Sequence, residues 1–183
     1  MPADIFIGLG SNLGNRAANL AKGLELLREA GAIITAVSGY YETEPRECPP
    51  QPNFLNAVAC ISWEKTAAEC LQFLLEAEQM AGRIRHLPAE PRVLDMDLLF
   101  YGSLIITTNE LILPHPRLHL RRFVLVPLWE IAPDFCHPVF RKTITTLLNE
   151  CPDTGKVNKA TLLEPHYSGA MMRRVDSVKR RRD

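Results

Sequence analysis

The sequence lacks the features that mark membrane-spanning, secreted and zinc-binding proteins. No apolar run approaches the roughly 18 residues of a membrane-spanning helix, and the first four residues carry no basic group of the kind that begins a secretory signal. The five cysteines are odd in number and widely spaced, and no two of them form a C-x-x-C pair. Disulfides and zinc sites usually need paired cysteines, so we expect reduced thiols and a cytoplasmic location. Because no long apolar run is present, we also expect no membrane partner.

An excess of positive charge is also missing. The 183 residues carry 21 basic and 21 acidic side chains, and residues 171–183 alone hold six of the basic and two of the acidic ones. The first 170 residues therefore contain 15 basic and 19 acidic groups, a net charge of −4. Domains that bind nucleic acid usually present a basic face, so we expect no nucleic-acid partner.

The hydrophobic pattern predicts one α+β domain with a ferredoxin-like βαββαβ core. Strands are predicted over residues 5–10, 32–43, 54–63 and 94–101, and a capped helix over 66–81 follows the third. This order predicts a four-stranded antiparallel sheet with helices on one face. After the fourth strand we expect a short returning strand over 104–107 and a small C-terminal helical extension over 122–131 and 143–150.

The length predicts a single folded unit. We expect one domain over residues 1–150 and a polar, basic tail over 151–183 that is largely disordered. We also expect a monomer.

Asp95 and Asp97 are the most informative pair in the chain, because they are the only charged residues between Val93 and Phe100. Residues i and i+2 of a strand point to the same face, so the two carboxylates would lie side by side and repel each other. A hard cation such as Mg²⁺ relieves that repulsion and binds phosphate oxygens on its other side. The alternative is an exposed strand that carries two solvated charges.

Arg83, Arg85 and Arg92 flank the proline-containing loop before this strand. Guanidinium groups stay charged and bind phosphate oxygens in pairs, so the three favour a polyphosphate ligand; scattered surface arginines are the alternative. Glu78 falls on the apolar stripe of the preceding helix, where a carboxylate needs a partner. A structural ion pair with Arg83 and a contact with a bound ligand would explain the position of Glu78 almost equally well.

Aromatic and amide side chains form a further candidate group. Phe54 and Asn56 lie together at the start of a predicted strand, and Phe123 offers a second ring. Each phenylalanine taken alone is well explained by a place in the core. His115, between two prolines, lies beside Arg121 in a second predicted cationic cluster, although a single histidine is often structural.

The glycine-rich run G-x-G-x-x-x-G at residues 8–14 invites comparison with a dinucleotide-binding fingerprint. Its spacing differs, and no acidic residue ends a suitable second strand. A tight strand-to-helix turn is the better interpretation.

Six motifs, in order, resemble one known family. They are G-S-N-L-G at 10–14, Y-E-T-E-P at 41–45, Q-P-N-F-L-N-A at 51–57, E-x4-R-x-R at 78–85, P-R-x-x-D-x-D-L at 91–98 and P-H-P-x5-R-F-x-L-x-P-L at 114–128. Together they resemble the 6-hydroxymethyl-7,8-dihydropterin pyrophosphokinases of folate biosynthesis, and the resemblance runs from residue 5 to about residue 150.

The resemblance implies a transferase that moves the diphosphoryl group of ATP, its co-substrate, to a reduced pterin and releases AMP. It implies that Asp95 and Asp97 bind two Mg²⁺ ions and that Arg83 and Arg92 assist catalysis. The residues implied to bind ATP are Glu78, Arg83, Arg85, Arg92, Leu98, His115 and Arg121. The residues implied to bind the pterin are Thr43, Arg46, Phe54, Asn56, Asp95 and Phe123.

The chain departs from the family pattern in two loops. Pro88, Ala89 and Glu90 stand where relatives usually have a basic residue, an aromatic residue and a glycine, and Pro116 stands where an aromatic residue is common. We expect residues 83–93 to form a lid that closes when both substrates bind, more loosely than in relatives. One other function stays open at this point, an inactive paralogue that binds only nucleotide. An RNA-binding module shares the strand and helix order, but the strands carry no RNP1-type aromatic pattern and the first 170 residues are acidic, which argues against it.

Overall fold

A computed structural model describes residues 3–45, 49–82 and 90–161 of the chain. Within these ranges the strands are β1 Ile5–Ser11, β2 Ile33–Val37, β3 Tyr41–Thr43, β4 Phe54–Ser62, β5 Asp95–Tyr101, β6 Ile106–Thr107, β7 Ile112–Leu113 and β8 Val157–Lys159. The helices are α1 Arg16–Glu29, α2 Ala67–Met80, α3 Arg122–Ile131 and α4 Ile144–Glu150, and a 3₁₀ turn covers Leu118–Leu120. None of these helices is long and apolar enough to cross a membrane.

The main sheet is antiparallel and has the strand order β5-β1-β4-β3-β8, with β2 also paired to β4. Strand β4 is central and pairs with β1, β2 and β3, and β1 lies between β4 and β5. The predicted ferredoxin-like α+β core is confirmed, since β1, α1, β2 with β3, β4, α2 and β5 follow the βαββαβ order. The sheet has six strands, however, and not the four that the sequence predicts.

The two helices of the ferredoxin-like core, α1 and α2, pack on one face of the sheet, as predicted, and α3 and α4 of the C-terminal extension cover the other face. Alternate residues of β1 explain the two cores, because neighbours in a strand point to opposite faces. Ile5 and Ile7 pack in the cluster that includes α1 and α2, whereas Phe6 packs in the cluster that includes α3 and α4. Each fully buried side chain of this size contributes roughly 1.5–3 kcal/mol.

The ends of α2 follow from the capping residues that its sequence contains. Thr66 Oγ1 accepts a hydrogen bond from the Glu69 backbone N–H at 3.3 Å, and Glu69 accepts the Thr66 N–H at 2.7 Å. The predicted capping box is thereby confirmed. Gly82 follows the helix with a φ of +92°, which is the conformation that a glycine adopts at low cost.

The predicted strand over 32–43 is wrong, because it is two strands. Val37 lies opposite Ala59 but Tyr41 lies opposite Asn56, so one extra residue is inserted between them. Ser38 causes the interruption: its Oγ accepts the backbone N–H of Val58 at 2.9 Å, a bond that a strand carbonyl would otherwise receive.

Two further strands differ from the prediction. The returning segment after β5 pairs as β6 with β7 and not with β5. Strand β8 lies inside the segment assigned to a disordered tail, yet it pairs with β3, with Val157 opposite Thr43. Part of that segment therefore belongs to the sheet, and the domain boundary after residue 150 stays a prediction.

Candidate active site

An open cleft of about 1070 Å³ lies over the part of the sheet formed by β1, β4 and β5. Every predicted site residue within the described ranges lines it. These residues are Thr43, Phe54, Asn56, Glu78, Arg92, Asp95, Asp97, Leu98, His115, Arg121 and Phe123. Arg46, Arg83 and Arg85 lie outside the described residues, as does most of the predicted lid over 83–93. The structure thus brings the described candidates together, and their roles stay predictions.

Two glycines of β1 leave the sheet open beside the aspartates. Gly10 lies between Asn56 on β4 and Asp95 on β5, and Gly8 lies opposite Asp97. A Cβ atom on Gly10 would lie 3.1 Å from Asn56 Oδ1 and 3.8 Å from Asp95 Cβ. Because glycine leaves this space empty, the carboxylate and the amide border one common volume.

The two carboxylates lie side by side at the start of β5, but their surroundings differ. Asp95 Oδ2 accepts a hydrogen bond from Arg92 Nη1 at 2.5 Å in an ion pair. Burial and the negative charge of Asp95 raise the pKa of Asp97 to about 6. Glu78 adds to this effect, whereas Arg121 and Arg92 oppose it. The pair therefore concentrates negative charge that a cation would stabilise.

Glu78 supports this strand from α2. Its side chain is 2% exposed, and its Oε1 accepts a hydrogen bond from the backbone N–H of Met96 at 2.8 Å. Met96 separates the two aspartates and packs in the core beneath α2. The predicted partner Arg83 lies outside the described residues; the partner observed here is a backbone amide. Glu78 thus fixes β5 at the point where the aspartates project.

His115 lines the cleft as a neutral imidazole. Burial and the positive charges of Arg121 and Arg117 lower the pKa of His115 to about 4, so His115 lies beside both arginines, as predicted, but as a neutral side chain. Its Nδ1 accepts the backbone N–H of Arg117 at 3.2 Å, which places the proton on Nε2. The side chain therefore offers a neutral N–H donor to the cleft.

One end of the cleft combines aromatic rings with an amide. Asn56 Nδ2 donates a hydrogen bond to Thr43 Oγ1 at 2.8 Å, and both side chains are buried. Phe54 and Phe123 are half-buried and border the same cleft, and the Arg121 guanidinium lies 5.6 Å from the centroid of the Phe123 ring. This end fits a flat ligand with a polar edge.

The other end is apolar, and sequence reasoning missed most of it. Besides Leu98, residues of α2 and of the segment around β7 line this end of the cleft. They are Leu71, Leu75, Leu111 and Ile112. An apolar stripe on a helix predicts burial, but its pattern does not distinguish a stripe that meets the sheet from one that borders a cleft.

Asn12 is a second residue that the sequence did not single out, although it lies in the glycine-rich motif. Its Oδ1 accepts the backbone N–H of Arg92 at 2.6 Å, and its own N–H donates to the Arg92 carbonyl at 3.0 Å. Its Nδ2 donates to Gln51 Oε1 at 2.8 Å and to the carbonyl of Pro52 at 3.2 Å. Asn12 therefore joins the loop that carries Arg92 to the proline-rich loop before β4.

Comparison with known proteins identifies relatives that are named as pyrophosphokinases. A family model described as 7,8-dihydro-6-hydroxymethylpterin-pyrophosphokinase (HPPK) matches residues 6–133. The 2-amino-4-hydroxy-6-hydroxymethyldihydropteridine pyrophosphokinase of Synechocystis is 41% identical over 145 residues, which cover 79% of this chain and 74% of that protein. Its namesake in Methylorubrum extorquens is 42% identical over 130 residues, covering 70% and 82%.

Some similar proteins are much longer than this chain. The folic acid synthesis protein of Dictyostelium discoideum is 33% identical over 154 residues, which are 84% of this chain but 23% of that protein. The crystal structure of wild-type Plasmodium falciparum HPPK-DHPS superposes with a TM-score of 0.64 at 14% identity, covering 82% of this chain and 45% of the other. That structure shows a shared fold. The family match extends over more than half of the sequence, and the chain belongs to the 7,8-dihydro-6-hydroxymethylpterin-pyrophosphokinase family.

Proposed function

We propose that this chain transfers the diphosphoryl group of ATP to the hydroxymethyl oxygen of 6-hydroxymethyl-7,8-dihydropterin. A bond forms between that oxygen and the β-phosphorus, the bond between the β-phosphorus and the α,β-bridging oxygen breaks, and AMP leaves. The single observation that supports the proposal is the row Asp95, Gly10, Asn56 across three strands, in which a carboxylate lies directly beside the Asn56 amide.

The slot supplies what a pterin requires. A flat heteroaromatic ring stacks on aromatic side chains, and Phe54 and Phe123 border the slot. The pterin edge carries donors and acceptors, and the bonded pair Asn56 and Thr43 offers both kinds of group. Arg46, also expected at this end, lies outside the described residues.

ATP would extend from the aspartates toward the apolar end of the cleft. Arg92 and Arg121 place positive charge next to the carboxylates, and His115 adds an N–H donor. Leu98 and its apolar neighbours offer a surface for the adenine ring. Diphosphoryl transfer needs alignment and charge neutralisation more than covalent help, and these residues supply both.

The donor set fits two Mg²⁺ ions held by Asp95 and Asp97. Both groups are carboxylates, which Mg²⁺ prefers, and burial together with the negative charge of Asp95 raises the pKa of Asp97 to about 6. Bound Mg²⁺ would neutralise charge on the ATP phosphates. The cytoplasmic location, the monomeric state and the lack of a nucleic-acid partner stay predictions.

Product analysis tests the proposal. The wild-type protein, given ATP, Mg²⁺ and reduced pterin, should form AMP only when the pterin is present. Asp97→Ala should lose at least about nine-tenths of this activity, which corresponds to ~1.4 kcal/mol or more of transition-state stabilisation. Binding of ATP without pterin-dependent AMP would indicate an inactive nucleotide-binding relative. Retention of RNA in place of turnover would favour an RNA-binding module.

A further inference from the structure

The first backbone N–H group of helix α3 is hydrogen-bonded to a side chain that lies far away in the sequence. Phe123 is the second residue of the helix, and the N-cap residue Arg121 makes no side-chain capping bond. Asp153 takes that place: its Oδ2 accepts the backbone N–H of Arg122 at 3.0 Å. Its Oδ1 accepts the backbone N–H of Gly155 at 2.8 Å. One carboxylate therefore ties the start of α3 to the turn that follows α4.

The segment that carries Asp153 also borders the aromatic end of the cleft. Pro152 and Asp153 line the cleft itself. Asp153, Gly155 and Val157 meet Thr43 and Phe123 around a small adjoining hollow. Residues 152–157 thus lie on the open side of the slot, next to one of its two rings.

The far end of this segment is anchored independently. Val157 begins β8 opposite Thr43, and Lys159 Nζ forms an ion pair with Glu130 Oε1 at 2.6 Å. The other oxygen of Glu130 accepts the Tyr41 hydroxyl at 2.8 Å. The segment is therefore fixed to the start of α3 at one end, and to the edge of the sheet and the last turn of α3 at the other.

We propose that residues 152–157 form the outer wall of the pterin slot and that Asp153 is a positioning residue that holds the Phe123 ring in place. This inference rests on the proposed function, because it takes Phe123 as a pterin contact. A negative charge at a helix N-terminus is favourable and fixes the first turn, where Phe123 is located. Loss of the cap would loosen this turn and misplace the ring. Arg121, a proposed ATP contact, is the N-cap residue of the same turn, whereas Asp95, Asp97 and Leu98 lie on β5 and are not part of it.

Calorimetric titration of three variants tests the inference. In Asp153→Ala, the Kd for 6-hydroxymethyl-7,8-dihydropterin should rise about fivefold, the scale of a lost helix cap. The Kd for a non-hydrolysable ATP analogue should rise much less, because Asp95, Asp97 and Leu98 lie on β5 and do not depend on this cap. Asp153→Asn keeps one of the two acceptor oxygens and should recover part of the pterin affinity. Thr143→Ala removes the cap of α4, where Thr143 Oγ1 accepts the Thr146 N–H at 3.2 Å, and should lower stability without changing the pterin Kd.

A double-mutant cycle separates positioning from direct contact. If Asp153 acts through Phe123, then Asp153→Ala should have no further effect on the pterin Kd in the Phe123→Ala background. An equal effect in both backgrounds would contradict the inference, and so would a parallel rise in both Kd values for Asp153→Ala. Unchanged pterin binding in Asp153→Ala, with wild-type AMP formation intact, would overturn the inference and leave the proposed function standing.

Amide hydrogen exchange of residues 122–124 gives a readout that needs no pterin. Exchange should be faster in Asp153→Ala than in wild type and unchanged in Thr143→Ala. Absence of pterin-dependent AMP in the wild type would refute the proposed function, whereas unchanged exchange in Asp153→Ala would refute the role of Asp153.

Discussion

The Glu78 carboxylate accepts a hydrogen bond from the backbone N–H of Met96 at 2.8 Å, so a buried charge on α2 holds the residue that separates Asp95 from Asp97. The Glu78 side chain is 2% exposed. This bond connects the helix to the strand that carries both carboxylates, and the geometry of the site depends on it.

Replacing Glu78 should therefore destabilise the fold, by an amount that depends on whether the new side chain can accept a hydrogen bond from Met96. Glu78→Ala leaves a buried N–H without its partner and should cost about 1–3 kcal/mol of unfolding free energy, measured by urea denaturation. Glu78→Gln keeps an acceptor oxygen and should cost less. Glu76→Ala, on the exposed side of the same helix, is the matched control and should be nearly neutral. Equal losses for the Ala and Gln variants of Glu78 would contradict this role.

The raised pKa of Asp97 predicts a specific pH dependence of stability. An aspartate in an unfolded chain has a pKa of about 3.9, whereas burial and the charge of Asp95 raise the pKa of Asp97 to about 6. The metal-free wild type should therefore lose stability as pH rises from about 4 to about 6, because only the unfolded chain ionises freely there. Asp97→Asn lacks this loss, so its Tm should exceed that of the wild type above pH 6 and match it below pH 4.

Magnesium and an exposed control complete that test. Adding Mg²⁺ at pH 8 should raise the Tm of the wild type more than that of Asp97→Asn. Asp134→Asn, a change at an exposed position, should show neither effect. A Tm difference between wild type and Asp97→Asn that does not vary with pH would contradict the electrostatic explanation.

Phe123 should contribute to pterin binding and not to ATP binding. Phe123→Ala should weaken pterin affinity by roughly 1–3 kcal/mol, the scale of stacking on an aromatic side chain, because its ring borders the slot. ATP affinity should stay nearly unchanged in the same calorimetric assay. Phe140→Ala, at an exposed phenylalanine outside the cleft lining, should change neither affinity. Joint collapse of Tm and both affinities in Phe123→Ala would instead support a purely structural role.

Gly10 should be sensitive to the addition of a single methyl group. In Gly10→Ala the new Cβ would lie 3.1 Å from Asn56 Oδ1, so the Asn56 amide must move by a few tenths of an ångström and its bond with Thr43 would be disturbed. We expect pterin affinity to fall roughly tenfold, or about 1.4 kcal/mol. In Gly8→Ala the nearest atom belongs to Leu99 at 3.5 Å, an ordinary contact, and pterin affinity should be retained. Equal affinities in the two variants would show that the space beside Gly10 is not used.

Local patterns in the sequence predict the core of this fold well. The capping box of Thr66 and Glu69 sets the start of α2, and alternation along β5 places Asp95 and Asp97 side by side. The ordered motifs predict which residues meet in the cleft, since every described candidate lines it.

Features that depend on distant partners could not be predicted in this way. Ser38 interrupts a strand through a bond to Val58, and β8 exists because β3 offers a free edge. The low pKa of His115 results mainly from burial, which the local sequence does not reveal, and in part from the neighbouring charges of Arg121 and Arg117. Asp153 caps a helix that begins 31 residues earlier.

Isotope transfer tests the central claim most directly. The protein is incubated with reduced pterin, Mg²⁺ and ATP labelled with ³²P at either the α or the γ position, and the products are separated by chromatography. The account predicts that the γ label appears in the pterin diphosphate and that the α label appears in AMP, in equal amounts. Transfer of the γ label to the pterin with the α label in ADP would show a simple kinase and contradict the account, as would release of the γ label as free phosphate or diphosphate.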